Sequence, residues 1–174
     1  MKKIMVLTSL FVVAISIGVY VWLGGFRKVP IEEVQHPLRV VWGTPYQGKY
    51  GDLKLREIFV KTQQQLTEGN VKGTLVVLNY DSLFDTQAVD QLIGVIPEAS
   101  AGPMPLNRTV DTLAAGKYIR VHVSGRPAVW PTPPQIHQKV HDYATQRELK
   151  LGKKVVEHYF GQDSMWVEYW VVGE

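Results

Sequence analysis

Two neighbouring stretches near the C-terminus, residues 154–160 and 165–172, set carboxylates among aromatic rings. Both read as short β-strands joined by a polar turn. Side chains alternate between the faces of a strand. Glu157 and Tyr159 therefore share a face of the first, and Trp166, Glu168 and Trp170 share a face of the second. A carboxylate withdrawn from water is costly unless it gains a partner. Ringed by aromatics, it attracts a cationic, partly apolar ligand through charge and cation–π contact. A plainer reading stays open, with solvated Glu side chains and Trp rings that only pack. A one-residue slip in register would reverse every side chain. Residues 118–123 form another alternating strand. Ile119, Val121 and Val123 face a core, while Tyr118, Arg120 and His122 face either the same cleft or solvent.

Other chemistries find less support. The chain has no Cys, which excludes a disulfide scaffold, Cys-ligated zinc, an iron–sulfur cluster and a cysteine nucleophile. His137 and His141 are four apart on an expected helix, but Gln138 stands where the metalloprotease pattern needs Glu, and no third ligand is near in sequence. Neither a metal nor a cofactor is expected. Residues 48–51 have the wrong spacing for a nucleotide-binding loop, and no Ser lies in a nucleophile elbow. Asn107-Arg108-Thr109 fits a glycosylation sequon, a pattern common by chance.

The elements that must position the carboxylates read as one unit written twice. Residues 38–44 form a strand ending at Pro45. Asp52 then caps a helix whose Leu55, Ile58, Phe59, Thr62 and Leu66 recur at helical spacing. Residues 74–80 and 88–96 are two strands about a turn at Asp81-Ser82. In the second half, strand 118–123 precedes a helix capped by Thr132, opened by Pro133 and striped by Ile136, Val140, Tyr143 and Ala144. Two closing strands follow, and residues 107–113 read as one more. This duplicated β-α-β-β order predicts an α+β fold with a largely antiparallel sheet and two helices on one face. The other face should be solvated or a binding surface, and function is sought there.

The first 28 residues read differently. Residues 4–26 carry no charge and as a helix would reach about 34 Å, enough for a bilayer core. Tyr20, Trp22 and Phe26 gather at one end, where amphipathic rings favour an interface. An uncleaved single-pass anchor over residues 1–28 is expected. Its rival is a cleaved signal peptide, whose one small-x-small site, Ser16-Ile17-Gly18, falls inside the apolar run. Residues 29–37 read as a tether and 38–174 as the domain, expected outside the cytoplasmic membrane. Four of the 19 basic residues (Lys2, Lys3, Arg27, Lys28) flank the apolar run and all 16 acids lie beyond it. The body is thus near neutral, without a basic stripe to mark a nucleic-acid partner.

Several local signatures, taken in order, resemble the GyrI-like small-molecule-binding family, also the effector domain of AraC-type and drug-sensing regulators. They are the strand and Gly-rich turn of residues 40–51, the strand end Asn79-Tyr80-Asp81 and the run 112–125. The ending Val156-Glu157-His158-Tyr159 with Val167-Glu168-Tyr169 completes them. The resemblance covers residues 36–172 and implies a duplicated β-α-β-β fold with a cleft between the halves. It implies that Glu157 is the buried carboxylate that meets a cationic ligand, and it matches Glu168 to an acid of the last strand. The ligand-binding set is then Glu157, Tyr159, Trp166, Glu168, Trp170 and Tyr118. Some members resemble hydrolases of strained cyclopropane-containing toxins, which would make Glu157, with Tyr159, a general base. A membrane-anchored member among animal receptors for endoplasmic-reticulum autophagy implies a third role, a protein-interaction module. No helix-turn-helix is present here, so a one-component transcription regulator is not expected.

Overall fold

The computed structural model describes residues 2–22, 29–80, 88–99, 108–125, 130–161 and 163–173. The Asp81-Ser82 turn, Asn107 of the sequon, Arg27 and Lys28 fall outside them. Helix α1 (Lys2–Trp22) is followed by β1 (Ile31–His36), β2 (Arg39–Gly48), α2 (Leu53–Thr67), β3 (Gly73–Asn79) and β4 (Val89–Pro97). Then come β5 (Thr109–Leu113), β6 (Gly116–Ser124), α3 (Pro133–Gln146), β7 (Lys150–Tyr159) and β8 (Ser164–Val172). The eight strands form one sheet in the order β1-β6-β8-β7-β3-β4-β2-β5, and every neighbouring pair is antiparallel. The architecture is α+β. Each half runs first, third, second strand (β6-β8-β7 and β2-β4-β3), and the halves meet at the β7–β3 seam.

Both body helices begin on sequence-encoded caps. Asp52 Oδ1 accepts from the Lys54 N–H at 3.0 Å, and Tyr46 Oη donates to Asp52 Oδ2 at 3.1 Å. At α3 the Thr132 N–H donates to Gln135 Oε1 at 2.9 Å. Leu55, Ile58 and Phe59 of α2 pack on Tyr46, Val77 and Ile93. Ile136, Val140 and Ala144 of α3 pack on Ile119, Val121, Val155, Val167 and Tyr169. Burial of these apolar faces is the main stabilising term.

The opposite face is not open. Arg39 on β2 bonds Glu168 on β8 at 2.9 Å, although β4, β3 and β7 lie between them in the sheet. Four strand steps would span about 19 Å if the sheet were flat. Lys154 on β7 likewise reaches Asp111 on β5 at 2.9 Å. The sheet therefore curls, with the helices outside. Its inner face is a second core of Val41, Val76, Leu78, Leu92, Leu113 and Val156. Gly43 and Gly94 oppose each other where β2 meets β4, and a Cβ on Gly94 would fall 2.2 Å from the Trp42 carbonyl oxygen. That close approach needs glycine. The solvated or ligand-binding second face expected from sequence is thus a filled interior, because two helices on the outside leave a curled sheet free to bury its inside against itself.

Two boundaries differ from the sequence reading. Strand β2 runs past Pro45 to Gly48; among the described residues only β4 pairs with it beyond Gly43, and an edge tolerates proline. Residues 31–36, read as tether, pair with β6 as an edge strand. Its acids make the edge polar: Glu32 meets His122 at 2.9 Å and Glu33 meets Lys117 at 3.6 Å.

The membrane-spanning helix is corrected. Among the described residues no helix is long and apolar enough to cross a membrane. Helix α1 is described over Lys2–Trp22, and Phe26 lies outside the described residues. Hydroxyls at Thr8, Ser9 and Ser16 interrupt its apolar run, and Ser16 Oγ turns back to bond the Val12 carbonyl at 2.9 Å. The single-pass anchor, the membrane as partner and the extracytoplasmic placement fall with it.

Candidate functional site

A cleft of about 550 Å³ lies on the helix-bearing face, over the β7–β3 seam, between α2 and the start of α3. Its floor comes from the strands and its walls from Leu55 and Phe59 of α2 and from Trp130, Pro133 and Ile136 at the α3 side. Each wall residue follows from local structure. Phe59 belongs to the buried stripe of α2 and meets Tyr159 edge-on, ring centroids 5.0 Å apart. The Trp130 ring is pinned by its Nε1–H, which donates to the Gly125 carbonyl at 2.8 Å. Most of the lining is apolar, as ligand clefts usually are.

Among the described residues three carboxylates line this cavity: Asp52, which caps α2, Asp90, which accepts from Gln47, and Glu157 at the β7–β3 seam. Glu157 sits half-buried on β7 opposite Val77 of β3. Tyr159 Oη donates to Glu157 Oε2 at 2.5 Å, and Asn79 Nδ2 donates to Oε1 at 3.2 Å. Behind them Gln91 Nε2 donates to Asn79 Oδ1 at 2.6 Å. Among the described residues no ion pair involves Glu157. Burial pushes its carboxyl above the ordinary range, and the two hydrogen bonds from Tyr159 and Asn79 oppose that rise. The Tyr159 hydroxyl is pushed well up, first by burial and then by the adjacent carboxylate.

Glu168 is a different kind of carboxylate. It pairs in register with Val156 and so points to the inner face of the sheet, away from Glu157. It is 0% exposed. Oε1 accepts from Arg120 Nε at 2.8 Å and lies 3.0 Å from His36 Nε2, while Oε2 accepts from Arg39 at 2.9 Å and lies 3.0 Å from His158 Nε2. Burial would raise its carboxyl, but His158, Arg39 and Arg120 outweigh it and hold the group well below the usual range. These contacts join β1, β2, β6, β7 and β8 across the curl.

The six residues expected to bind ligand thus separate into two sets. Glu157 and Tyr159 lie together in the cleft. Glu168, Trp166, Trp170 and Tyr118 lie on the inner face. There the Arg120 guanidinium stacks 4.2 Å from the Trp166 ring and Arg39 stacks 5.0 Å from Tyr118, whose hydroxyl bonds the Ala114 carbonyl at 2.6 Å. Trp170 lies over Gly152 and Gly116. His137 and His141 stack on α3, and among the described residues no group of three metal-ligating side chains occurs. Sequence reasoning missed Asn79 and Gln91 as site residues. Their only signal is polarity within the long buried runs of β3 and β4, where they are 3% and 6% exposed.

No protein-family model matches the chain, and no curated protein sequence does either. Solved structures match in fold. The EcmrR C-terminal domain aligns with a TM-score of 0.63 at 9% identity, covering 85% of this chain and 100% of its own. SAV2435 bound to tetraphenylphosphonium aligns at 0.51 and 16% identity, covering 84% and 95%. A hydrolase from Listeria innocua aligns at 0.53 and 10% identity, covering 83% and 92%. At such identities the likeness shows the fold alone, one consistent with the GyrI-like effector-binding domain.

Proposed function

We propose that this domain binds a lipophilic organic cation in the cleft between α2 and α3, with Glu157 as its counter-charge. The observation that carries this reading is a carboxylate at the floor of an apolar, aromatic-walled cavity, held by neutral donors and by no ion pair among the described residues. A half-buried carboxylate that has hydrogen bonds but no ion-pair partner among the described residues gains from a ligand that brings a positive charge. Phe59, Tyr159 and Trp130 offer ring faces to a delocalised cation. The fold shared with a protein seen bound to tetraphenylphosphonium supports the same ligand class. A thermal-shift comparison of tetraphenylphosphonium with neutral triphenylphosphine oxide tests it. Stabilisation by the cation alone is expected; equal stabilisation by both would overturn the role of charge. At about 100 times the dissociation constant the gain is about 2.7 kcal/mol.

One observation supports a second reading, hydrolysis of an electrophilic small molecule of the strained-ring type. The Tyr159 hydroxyl lies 2.5 Å from a carboxylate whose affinity for protons is raised by burial, a suitable pair for activating water. It predicts turnover that Glu157→Gln abolishes. The depth of the cleft supports both readings over that of a flat protein-interaction module.

A further inference from the structure

We propose that Asn79 and Gln91 are positioning residues that set the cleft's selectivity for positive charge, by fixing the direction of a buried hydrogen-bond chain that ends on Glu157. This rests on the cation-binding reading of the same cleft. The chain has a polarity. Gln91 Nε2 donates to Asn79 Oδ1 at 2.6 Å, which turns the Asn79 amide so that Nδ2 faces Glu157 Oε1 at 3.2 Å. An amide has separate donor and acceptor ends, so satisfying one end orients the other. Oε1 is thereby reserved as an acceptor. With Tyr159 donating to Oε2 at 2.5 Å, both oxygens accept from neighbours. Both bonds are stronger to the ionised carboxylate than to the neutral acid, so the arrangement favours the anion. In the reverse polarity, with Asn79 Oδ1 towards Glu157, the neutral acid would be favoured and a cation would lose the Glu157 counter-charge at the seam.

The chain is built for one state. Asn79 and Gln91 lie on adjacent strands in direct register, β3 opposite β4, and both are almost wholly buried among Val and Leu neighbours. Buried amides of this kind persist when each satisfies the other. Neither carries charge, so they stabilise the Glu157 anion without neutralising it. Among the described residues no cation pairs with Glu157, although Arg56 lines the same cleft, and a cationic ligand would supply the missing partner. Among the described residues, the other titratable or charged groups around Glu157 are Tyr159 on its own strand, Tyr169 on β8, Asp90 on β4, and Tyr50, Asp52 and Arg56 at the α2 side. On α3, His137 lies against Tyr169, ring centroids 5.5 Å apart. None is a member of the amide chain.

The experiment compares the full-length protein with Gln91→Met, a variant of similar shape without the donor. Tetraphenylphosphonium, whose charge does not titrate, is the probe, and its affinity is measured from pH 4 to pH 9. Glu157 is also titrated without ligand, by carbon NMR of its labelled carboxyl. Binding should strengthen as pH rises through the Glu157 midpoint. In Gln91→Met that midpoint should move up by about one pH unit or more, the size of one lost bond to a charged group, so that affinity falls most between the two midpoints. A merely structural role would instead lower affinity equally at every pH and leave the carboxyl midpoint in place, and that result overturns the proposal. The double variant Gln91→Met/Asn79→Leu leaves no amide unpaired and covers failure of the single variant to fold; the same upward shift is expected. If wild type binds no cation, the ligand-free carboxyl titration still tests the chain. A shift there with no binding refutes the cation reading and supports the chain, whereas no shift refutes the chain.

Discussion

Glu168→Gln should separate the two carboxylates of this fold. In wild type the Glu168 side chain accepts from Arg39 at 2.9 Å and Arg120 at 2.8 Å, with His36 and His158 each at 3.0 Å. Glutamine keeps one oxygen and turns an N–H₂ towards the two partners of the other. Two guanidiniums, both largely buried, lose the Glu168 charge, and Arg120 keeps Glu32 at 3.4 Å. Removing one partner from such a buried set costs about 3–5 kcal/mol, or about 10 °C or more in Tm for a domain of this size. The pH dependence has a definite sign. The folded-state carboxyl is depressed below its reference of 4.5, so its stabilisation is complete above that value and is lost as pH falls below it. The deficit of the variant should therefore be full at pH 7 and narrow in acid below about pH 4.5. Urea unfolding at pH 7 and pH 3.5, with m-values compared, measures it. A deficit under about 1 kcal/mol at pH 7, or one that does not narrow in acid, would refute the view of Glu168 as the clasp of the curled sheet. Glu157→Gln should behave oppositely. Its folded-state carboxyl is raised, so wild type loses stability as pH rises through that group, and the neutral variant should be as stable or more stable at pH 7.

Tyr159→Phe removes the 2.5 Å donor to Glu157, and cation affinity at pH 6 should fall about tenfold with the binding midpoint moving to higher pH, as read by calorimetry across pH. Trp130→Ala strips an aromatic wall from the cleft while leaving the floor in place; affinity for tetraphenylphosphonium should drop by about one order of magnitude, measured below the lowered Tm that loss of its packing on the α3-side core entails. Gly94→Ala drives a Cβ to 2.2 Å from the Trp42 carbonyl oxygen and 2.6 Å from Gly43 Cα, so a loss of about 2 kcal/mol or more is expected in chemical denaturation.

The alternation of β6, β7 and β8 is readable directly from sequence, because Ile119, Val121 and Val123 or Trp166, Glu168 and Trp170 repeat with a period of two. Local caps at Asp52 and Thr132 are equally plain. What alternation within one strand does not give is the phase between strands. Glu157 lies opposite Val167, which puts Glu168 on the other face, and that depends on the register of a hairpin. The partners of Glu168 are more remote still: Arg39 is 129 residues away in the chain. The curl that unites them is a property of the whole sheet. Asn79 and Gln91 read as interruptions of apolar runs, and only the fold shows that both point towards Glu157. The charge of Glu32 and Glu33 disguised β1 as a linker, although acids suit a sheet edge. For α1, an apolar run identified a helix but did not fix its length or setting.

The most direct measurement is a calorimetric titration of tetraphenylphosphonium into the full-length protein and into Glu157→Gln at pH 8. Binding of the cation by wild type with at least a tenfold loss in the variant, and with Tm of the free variant maintained, is the expected result. Equal affinity in the two proteins would contradict the assignment of Glu157 as the counter-charge of the cleft.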